Sequence, residues 1–176
     1  MWWSAPTGGI GICRRRYGDN LRFRVPPVRH LVRMSDFCYI VVMTVLELSR
    51  DQAGALIKHA EEESPNECCG LLAGRNGRVE RVYPGTNVDH SPYTYLMDPK
   101  EQLAAFKEME AGGLDLVGIY HSHTHTSAYP SRTDVAKAFY PDALYVIVSL
   151  TRRDAPDIRA FRVADGQIRE ESVIVR

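Results

Sequence analysis

The groups in this chain that could do chemistry are concentrated between residues 121 and 134, which read His-Ser-His-Thr-His-Thr-Ser-Ala-Tyr-Pro-Ser-Arg-Thr-Asp. His121 and His123 are two positions apart, so on a strand their side chains leave the same face. Asp134 follows after a short loop, where a helix begins. Two imidazoles and a carboxylate make three ligands for a divalent metal, and such a donor set suits zinc. A tetrahedral ion with three protein ligands keeps a fourth position for water, which is the pattern of a catalytic site rather than a closed structural one.

Each piece also has an ordinary reading. A His-x-His pair arises often by chance. Ser131-Arg132-Thr133-Asp134 has the form of a helix start, with Ser131 as N-cap and Asp134 favourable in the first turn. His125 extends the alternation to three histidines and reads as a solvent-facing loop residue. The combination carries more than its parts, because both histidines sit just past a buried strand and the acid lies on the next element. The His-x-His amidohydrolases need a barrel of about 250 residues, longer than this chain. The His-x-His-x-Asp-His pattern of the metallo-β-lactamase class is not met, since Thr126 and Ser127 follow His125.

A catalytic metal also requires a group that moves protons. Glu67 is the candidate. It stands at the mouth of Cys68-Cys69-Gly70-Leu71-Leu72, a strand otherwise made of small and apolar residues. A carboxylate there is either a surface charge at a strand end or a functional group. The run Glu61-Glu62-Glu63 reads as a solvated helix end.

The elements that must position these residues follow from periodicity. Val45 to Leu48 reads as a strand. Ser49 with Gln52 forms a capping-box pattern, and Ala53, Leu56, Ile57 and Ala60 share one helical face. Ser64-Pro65 ends that helix. Cys68 to Ala73 and Val79 to Tyr83 flank Gly74-Arg75-Asn76-Gly77, a hairpin signal. After a Pro- and Gly-containing loop, Tyr93 to Met97 is a candidate short strand. Asp98-Pro99 opens a second helix with Leu103, Phe106 and Met109 on its apolar face, stopped by Gly112-Gly113. Leu114 to Tyr120 is the strand before the histidines, and Ser131 to Phe139 a third helix. Ala143 to Leu150, Arg159 to Val163 and Ile168 to Val175 complete the strands, with Asp165-Gly166 as a turn. The sum is an α/β domain with a mixed central sheet and about three helices.

The chain has 176 residues and a formal net charge of zero, unevenly spread. Residues 1 to 42 hold seven Arg and two Asp, while the remainder holds twenty acidic and fifteen basic residues. A mildly acidic body excludes a binder of phosphate backbones. Residues 1 to 42 combine Gly- and Pro-rich pieces with Arg14-Arg15-Arg16 and show no strand or helix period. They read as a disordered extension or as sequence upstream of the true start, with Met34 and Met43 as candidate initiators. A basic arm for nucleic acid is the lesser alternative. The single domain is therefore expected over 43–176. The four cysteines, Cys13, Cys38, Cys68 and Cys69, form no spaced pairs of a disulfide framework or zinc knuckle. A reducing cytoplasm fits them, and no apolar run reaches the roughly 18 residues of a membrane span.

Glu67 at a strand start, His121-x-His123, and then Pro130-Ser131-x-x-Asp134 together resemble the signature of the JAMM (MPN+) zinc metallopeptidases. The resemblance covers about residues 44 to 176. One departure is Thr124, where that family usually has Pro. With Thr124, the segment is similar to the actinobacterial Mec branch, as are Glu67-Cys68-Cys69-Gly70, Tyr145 to Ser149 and Phe161-Arg162-Val163. The resemblance implies an MPN/JAB1-like, cytidine-deaminase-like three-layer fold. It implies one Zn²⁺ per chain, held by His121, His123 and Asp134. Glu67 would take a proton from water and pass it to the departing amine, and Ser131 would hydrogen-bond the oxyanion. The implied substrate is a small ubiquitin-like sulfur-carrier protein with a Gly-Gly tail, which delivers sulfur as a thiocarboxylate in cysteine biosynthesis. The enzyme would release cysteine from that tail. A more general isopeptidase on another ubiquitin-like tag and a non-catalytic MPN scaffold are the other readings. The loop from Pro84 to Met97 is expected to border the groove for the tail. A homodimer is compatible with all of these.

Overall fold

The computed structural model describes residues 10–14, 20–24 and 45–176, in two units divided between Met43 and Thr44. In the first unit, β1 (Ile10–Arg14) pairs antiparallel with β2 (Asn20–Arg24). No strand period runs through residues 1 to 42, so this pairing is a departure from the expectation. The other residues before Val45, including Met34 and Cys38, lie outside the described ones.

The second unit holds β3 (Leu46–Leu48), α1 (Arg50–Glu63), β4 (Cys69–Arg75), β5 (Arg78–Gly85), α2 (Pro99–Gly112), β6 (Asp115–His123), α3 (Arg132–Ala136), β7 (Leu144–Ser149), β8 (Asp157–Ala164), β9 (Gln167–Glu171) and β10 (Val173–Val175). The eight strands lie in the order β10-β3-β5-β4-β6-β7-β8-β9. Pairing is mixed, with β6 parallel to β7 and antiparallel to β4.

Alternation along the central strands sorts the core into two faces. Leu72, Tyr120, Val146 and Val148 pack with Leu56 and Ala60 of α1. Leu71, Ile119, Tyr145 and Ile147 pack with Ala105 and Met109 of α2, joined by Val135 of α3. Helix on one side and helices on the other make the three-layer arrangement. The ends of the helices are set by short-range chemistry. Ser49 and Gln52 close a reciprocal capping box at α1. Asp98 accepts from the amides of Lys100 and Glu101 at α2, and Gly113 ends that helix at φ 59°, a left-handed conformation that favours glycine. Asn76 and Gly77 take positive φ values of 54° and 81°, as a two-residue hairpin turn between β4 and β5 requires.

Four expectations are corrected. Tyr93 to Met97 forms no strand. One bridge, Asn87 to Met97, is all the pairing there. The Asn87 amide takes the place of a ladder, accepting from Leu96 N–H at 3.0 Å and donating to Thr94 O at 3.1 Å. α2 buries Ala105 and Met109, whereas Leu103 is 55 % exposed. α3 stops at Ala136, well before Phe139. The Tyr140 amide donates to the Tyr145 hydroxyl at 2.9 Å, a tertiary partner that no helical period shows. Finally, Ile168 to Val175 is two strands. β9 pairs with β8, but β10, one residue later, pairs with β3 at the opposite end of the order. Ser172 alone joins them, and its carbonyl accepts from Leu46 N–H at 2.9 Å. With a reach of about 3.3 Å per residue, this link brings the two ends of the sheet together, so the sheet curls on itself.

Candidate active site

β6 runs through both histidines, rather than ending before them as expected. Cys69 of β4 pairs with His121, and Ser149 of β7 pairs with His123, so the strand is clamped on both sides. Ile119, His121 and His123 share parity and therefore face α2 and α3. Cys69 and Leu71 share the same face on β4, and Glu67 continues that parity. The β4–β6 register, if carried two residues past Cys69, sets Glu67 opposite His123. β6 offers no free edge to a substrate, because both its neighbours are in place. The surroundings of the histidines lie instead at the carboxyl end of β6, a place where open α/β sheets commonly bind ligands.

Asp134 arrives from α3. Its Oδ1 lies 3.4 Å from His121 Nε2 and its Oδ2 lies 3.4 Å from His123 Nε2. The two Nε2 atoms are 3.1 Å apart. A tetrahedral ion with bonds of about 2.0–2.1 Å sets its ligands about 3.3 Å apart; each imidazole stands at about that distance from the other and from one oxygen of the Asp134 carboxylate. His121, His123 and Asp134 are the group among the described residues whose ligand atoms all lie close enough to share one ion. His125 is exposed and outside the cluster.

The imidazoles are held in fixed orientations. His123 Nδ1 lies 2.9 Å from the Ser127 carbonyl, which calls for a proton on Nδ1 and leaves the Nε2 lone pair toward the cluster. The Thr126 carbonyl in the same loop accepts from Ser149 Oγ at 2.6 Å and Thr151 Oγ1 at 2.7 Å, fixing the loop to the end of β7. The Tyr95 ring stacks on His121 at 4.5 Å with planes 23° apart. His121 is fully buried and its Nδ1 has no hydrogen-bond partner.

Charge follows burial. Desolvation lowers the His121 pKa against the opposing pull of Asp134. Burial also works against a charged His123, but hydrogen bonds to Asp134 and the Ser127 carbonyl outweigh it and raise the pKa. Asp134 is pushed up by burial, yet hydrogen bonds from both histidines hold it well below the usual carboxylate range. Glu67, 5 % exposed, is raised to about 7, chiefly by burial, with His123 pulling it down and Asp134 pushing it up. A buried carboxyl poised near neutrality beside a ligand cluster is what a proton carrier needs.

Ser131 is the N-cap of α3. Its Oγ accepts from Asp134 N–H at 3.2 Å, while Ser131 N–H donates to Asp134 Oδ2 at 2.6 Å. The cap therefore also orients the acid that completes the cluster. The loop before α2 supplies Tyr95, Leu96 and Met97 to a pocket that Cys69 and Tyr145 also line.

Comparison with known proteins gives this geometry a family. Residues 49–164 match the family described as prokaryotic homologs of the JAB domain. The chain belongs to that family. Within it, the chain is 46 % identical over 133 residues to a CysO-cysteine peptidase of Mycobacterium tuberculosis, covering 74 % of this chain and 91 % of the relative. It is 35 % identical over 139 residues to a desampylase of Haloferax volcanii, covering 74 % and 96 %. A probable TtuB-protein conjugate cleaving protease of Thermus thermophilus is 44 % identical over 110 residues, covering 62 % and 70 %. Among solved structures, the chain is similar to a solution structure of a Desulfitobacterium hafniense protein, with a TM-score of 0.69 and 40 % identity over 74 % of this chain and 92 % of that one.

Tyr95, Asn87 and Ser149 were missed by sequence reasoning. Each acts through a partner distant in the chain. Only the buried, fully bonded state of Asn87 distinguishes it from other loop asparagines.

Proposed function

We propose that this JAB-domain chain is a zinc-dependent peptidase. It hydrolyses the amide between the terminal Gly of a small ubiquitin-like sulfur-carrier protein and cysteine, in cysteine biosynthesis. The observation that carries the reading is the meeting of His121, His123 and Asp134 beside buried Glu67, in a chain so similar to a CysO-cysteine peptidase over most of its length. The three ligands would hold Zn²⁺ through the two Nε2 atoms and a carboxylate oxygen. When bound, zinc polarises the scissile carbonyl and makes water a nucleophile near neutral pH.

The protein's own residues divide the remaining work. Glu67 accepts the proton from the attacking water and delivers it to the nitrogen that leaves as the cysteine amine. The carbonyl carbon gains the water oxygen, so the carrier ends in a free carboxylate. Ser131 Oγ–H donates to the oxygen of that carbonyl as charge develops. The loop bearing Tyr95 and Leu96 borders the path of the tail. Buried free thiols at Cys68 and Cys69 fit a reducing cytoplasm, and no helix of the described residues is long and apolar enough to cross a membrane.

Replacing Glu67 by Gln tests the reading. The variant is expected to bind zinc at one per chain and to lose about 10²–10⁴-fold in turnover on a carrier–cysteine adduct. Undiminished turnover removes Glu67 from the role. A second reading, a broader isopeptidase, is supported by similarity to the desampylase and the conjugate-cleaving protease. Offering carriers with different C-terminal tails separates the two, since the narrow enzyme strongly prefers one tail.

A further inference from the structure

His121 and His123 alternate with Ser122 and Thr124, and the two hydroxyl residues are as buried as the histidines, at 0 % and 6 % exposure. Neither is a metal ligand. Both reach the segment that carries Glu67. Ser122 Oγ accepts from Cys68 N–H at 2.8 Å, immediately after Glu67. Thr124 Oγ1 donates to the Pro65 carbonyl at 3.1 Å, two residues before it. Regular pairing of β4 with β6 ends at Cys69 and His121. Beyond that point Ser122 N–H still donates to the Cys68 carbonyl at 3.2 Å, and the two side-chain hydroxyls continue the attachment.

We propose that Ser122 and Thr124 are positioning residues that latch the Glu67 segment to the histidine strand. Alternate residues of one short run thus serve two purposes: imidazoles for the ion and hydroxyls for the proton carrier. Glu67 has no side-chain hydrogen bond among those described, so the place of its carboxylate depends on its backbone. That backbone is held at residues 65 and 68 by the latch, with the Glu67 carbonyl accepting from Asn87 Nδ2 at 2.9 Å. Thr124 is a clean probe. A proline there could not donate to the Pro65 carbonyl, so this half of the latch depends on the residue present in this chain.

The inference rests on the proposed role of Glu67. Its test compares Thr124→Val, which keeps the shape and removes the hydroxyl, with Thr124→Ser, which restores it. Metal content, kcat and KM on a carrier–cysteine adduct, and hydrogen exchange of residues 66–70 are measured for each in the full chain. Thr124→Val is expected to keep one zinc and an unchanged KM, to lose about tenfold in kcat, and to exchange faster over 66–70. Thr124→Ser is expected to return kcat and exchange toward the wild type. Ser122→Ala should behave like Thr124→Val. An unchanged kcat in Thr124→Val, a Ser variant as slow as the Val variant, or loss of zinc overturns the latch while leaving the peptidase reading intact. A wild type that binds zinc but cleaves no carrier adduct defeats the proposed function and this role with it.

Discussion

A single carboxyl shows how much the site is governed by its surroundings. The Glu67 pKa is raised to about 7 because burial penalises its charged form. In the unfolded chain the same group loses its proton near pH 4.5. The sign follows: the neutral form is the one folding favours, so the stability linked to Glu67 is full below about 4.5 and lost as pH rises through 7. In protein stripped of metal, Glu67→Gln should therefore be more stable than wild type at pH 8, by on the order of 3 kcal/mol, and equal to it at pH 4. Chemical denaturation at the two pH values measures this, and an equal difference at both would sink the argument. Ser131 is informative in another way. As a cap alone its hydroxyl is worth about 1 kcal/mol. If its hydroxyl also donates to the developing oxyanion, Ser131→Ala should cost a further 10²–10³-fold in kcat, with one zinc retained.

At the scale of elements, β4 and β6 are the scaffold, and their contact tolerates little. A Cβ added to Gly70 would stand 2.4 Å from the Tyr83 backbone oxygen and from the Tyr120 ring. The ring is fully buried and bonded to His59 through its hydroxyl, and the neighbouring strand's backbone cannot shift without opening the β4–β5 ladder. Gly70→Ala is expected to destabilise the domain by roughly 1–3 kcal/mol, read as a shift in denaturant midpoint. Gly54 in α1 is the control, since nothing lies within 4 Å of a Cβ built there; Gly54→Ala should stabilise by up to about 1 kcal/mol. α3 is only five residues long, yet it delivers Asp134, because its capping box and the loop before it do the placing.

For the whole molecule, the division between Met43 and Thr44 places every candidate site residue in the second unit. The family match begins at residue 49. A chain starting at Met43 should keep the thermal midpoint, zinc content and kcat of the full protein; a drop of more than about 5 °C, roughly 1 kcal/mol for a domain of this size, would mean the first unit supports the second. Closure of the sheet by β10 beside β3 makes the far C-terminus part of this domain rather than a tail.

Much was legible from the chain itself, because local chemistry is written locally. The spacing of His121 and His123, the cap at Ser49, the hairpin turn within Gly74–Gly77 and the helix stop at Gly112-Gly113 depend on residues close in sequence; the strands run closer to the turn than expected, to Arg75 and from Arg78, leaving Asn76-Gly77 as the turn itself. Asp134 was ambiguous between cap and ligand for the same reason, and in the fold one oxygen turns to the Ser131 amide while the carboxylate as a whole faces the histidines, so the capping contact does not take it out of the cluster. Contacts across the sheet were not legible. Which hydroxyl meets the Pro65 carbonyl, which ring covers His121, and where β10 pairs are set by register and closure, which join residues tens of positions apart. The sequence alone supplied the candidate donors; only the tertiary structure decided that Asp134 faces both imidazoles at 3.4 Å and that Glu67 is buried, since both arise from packing of the whole sheet.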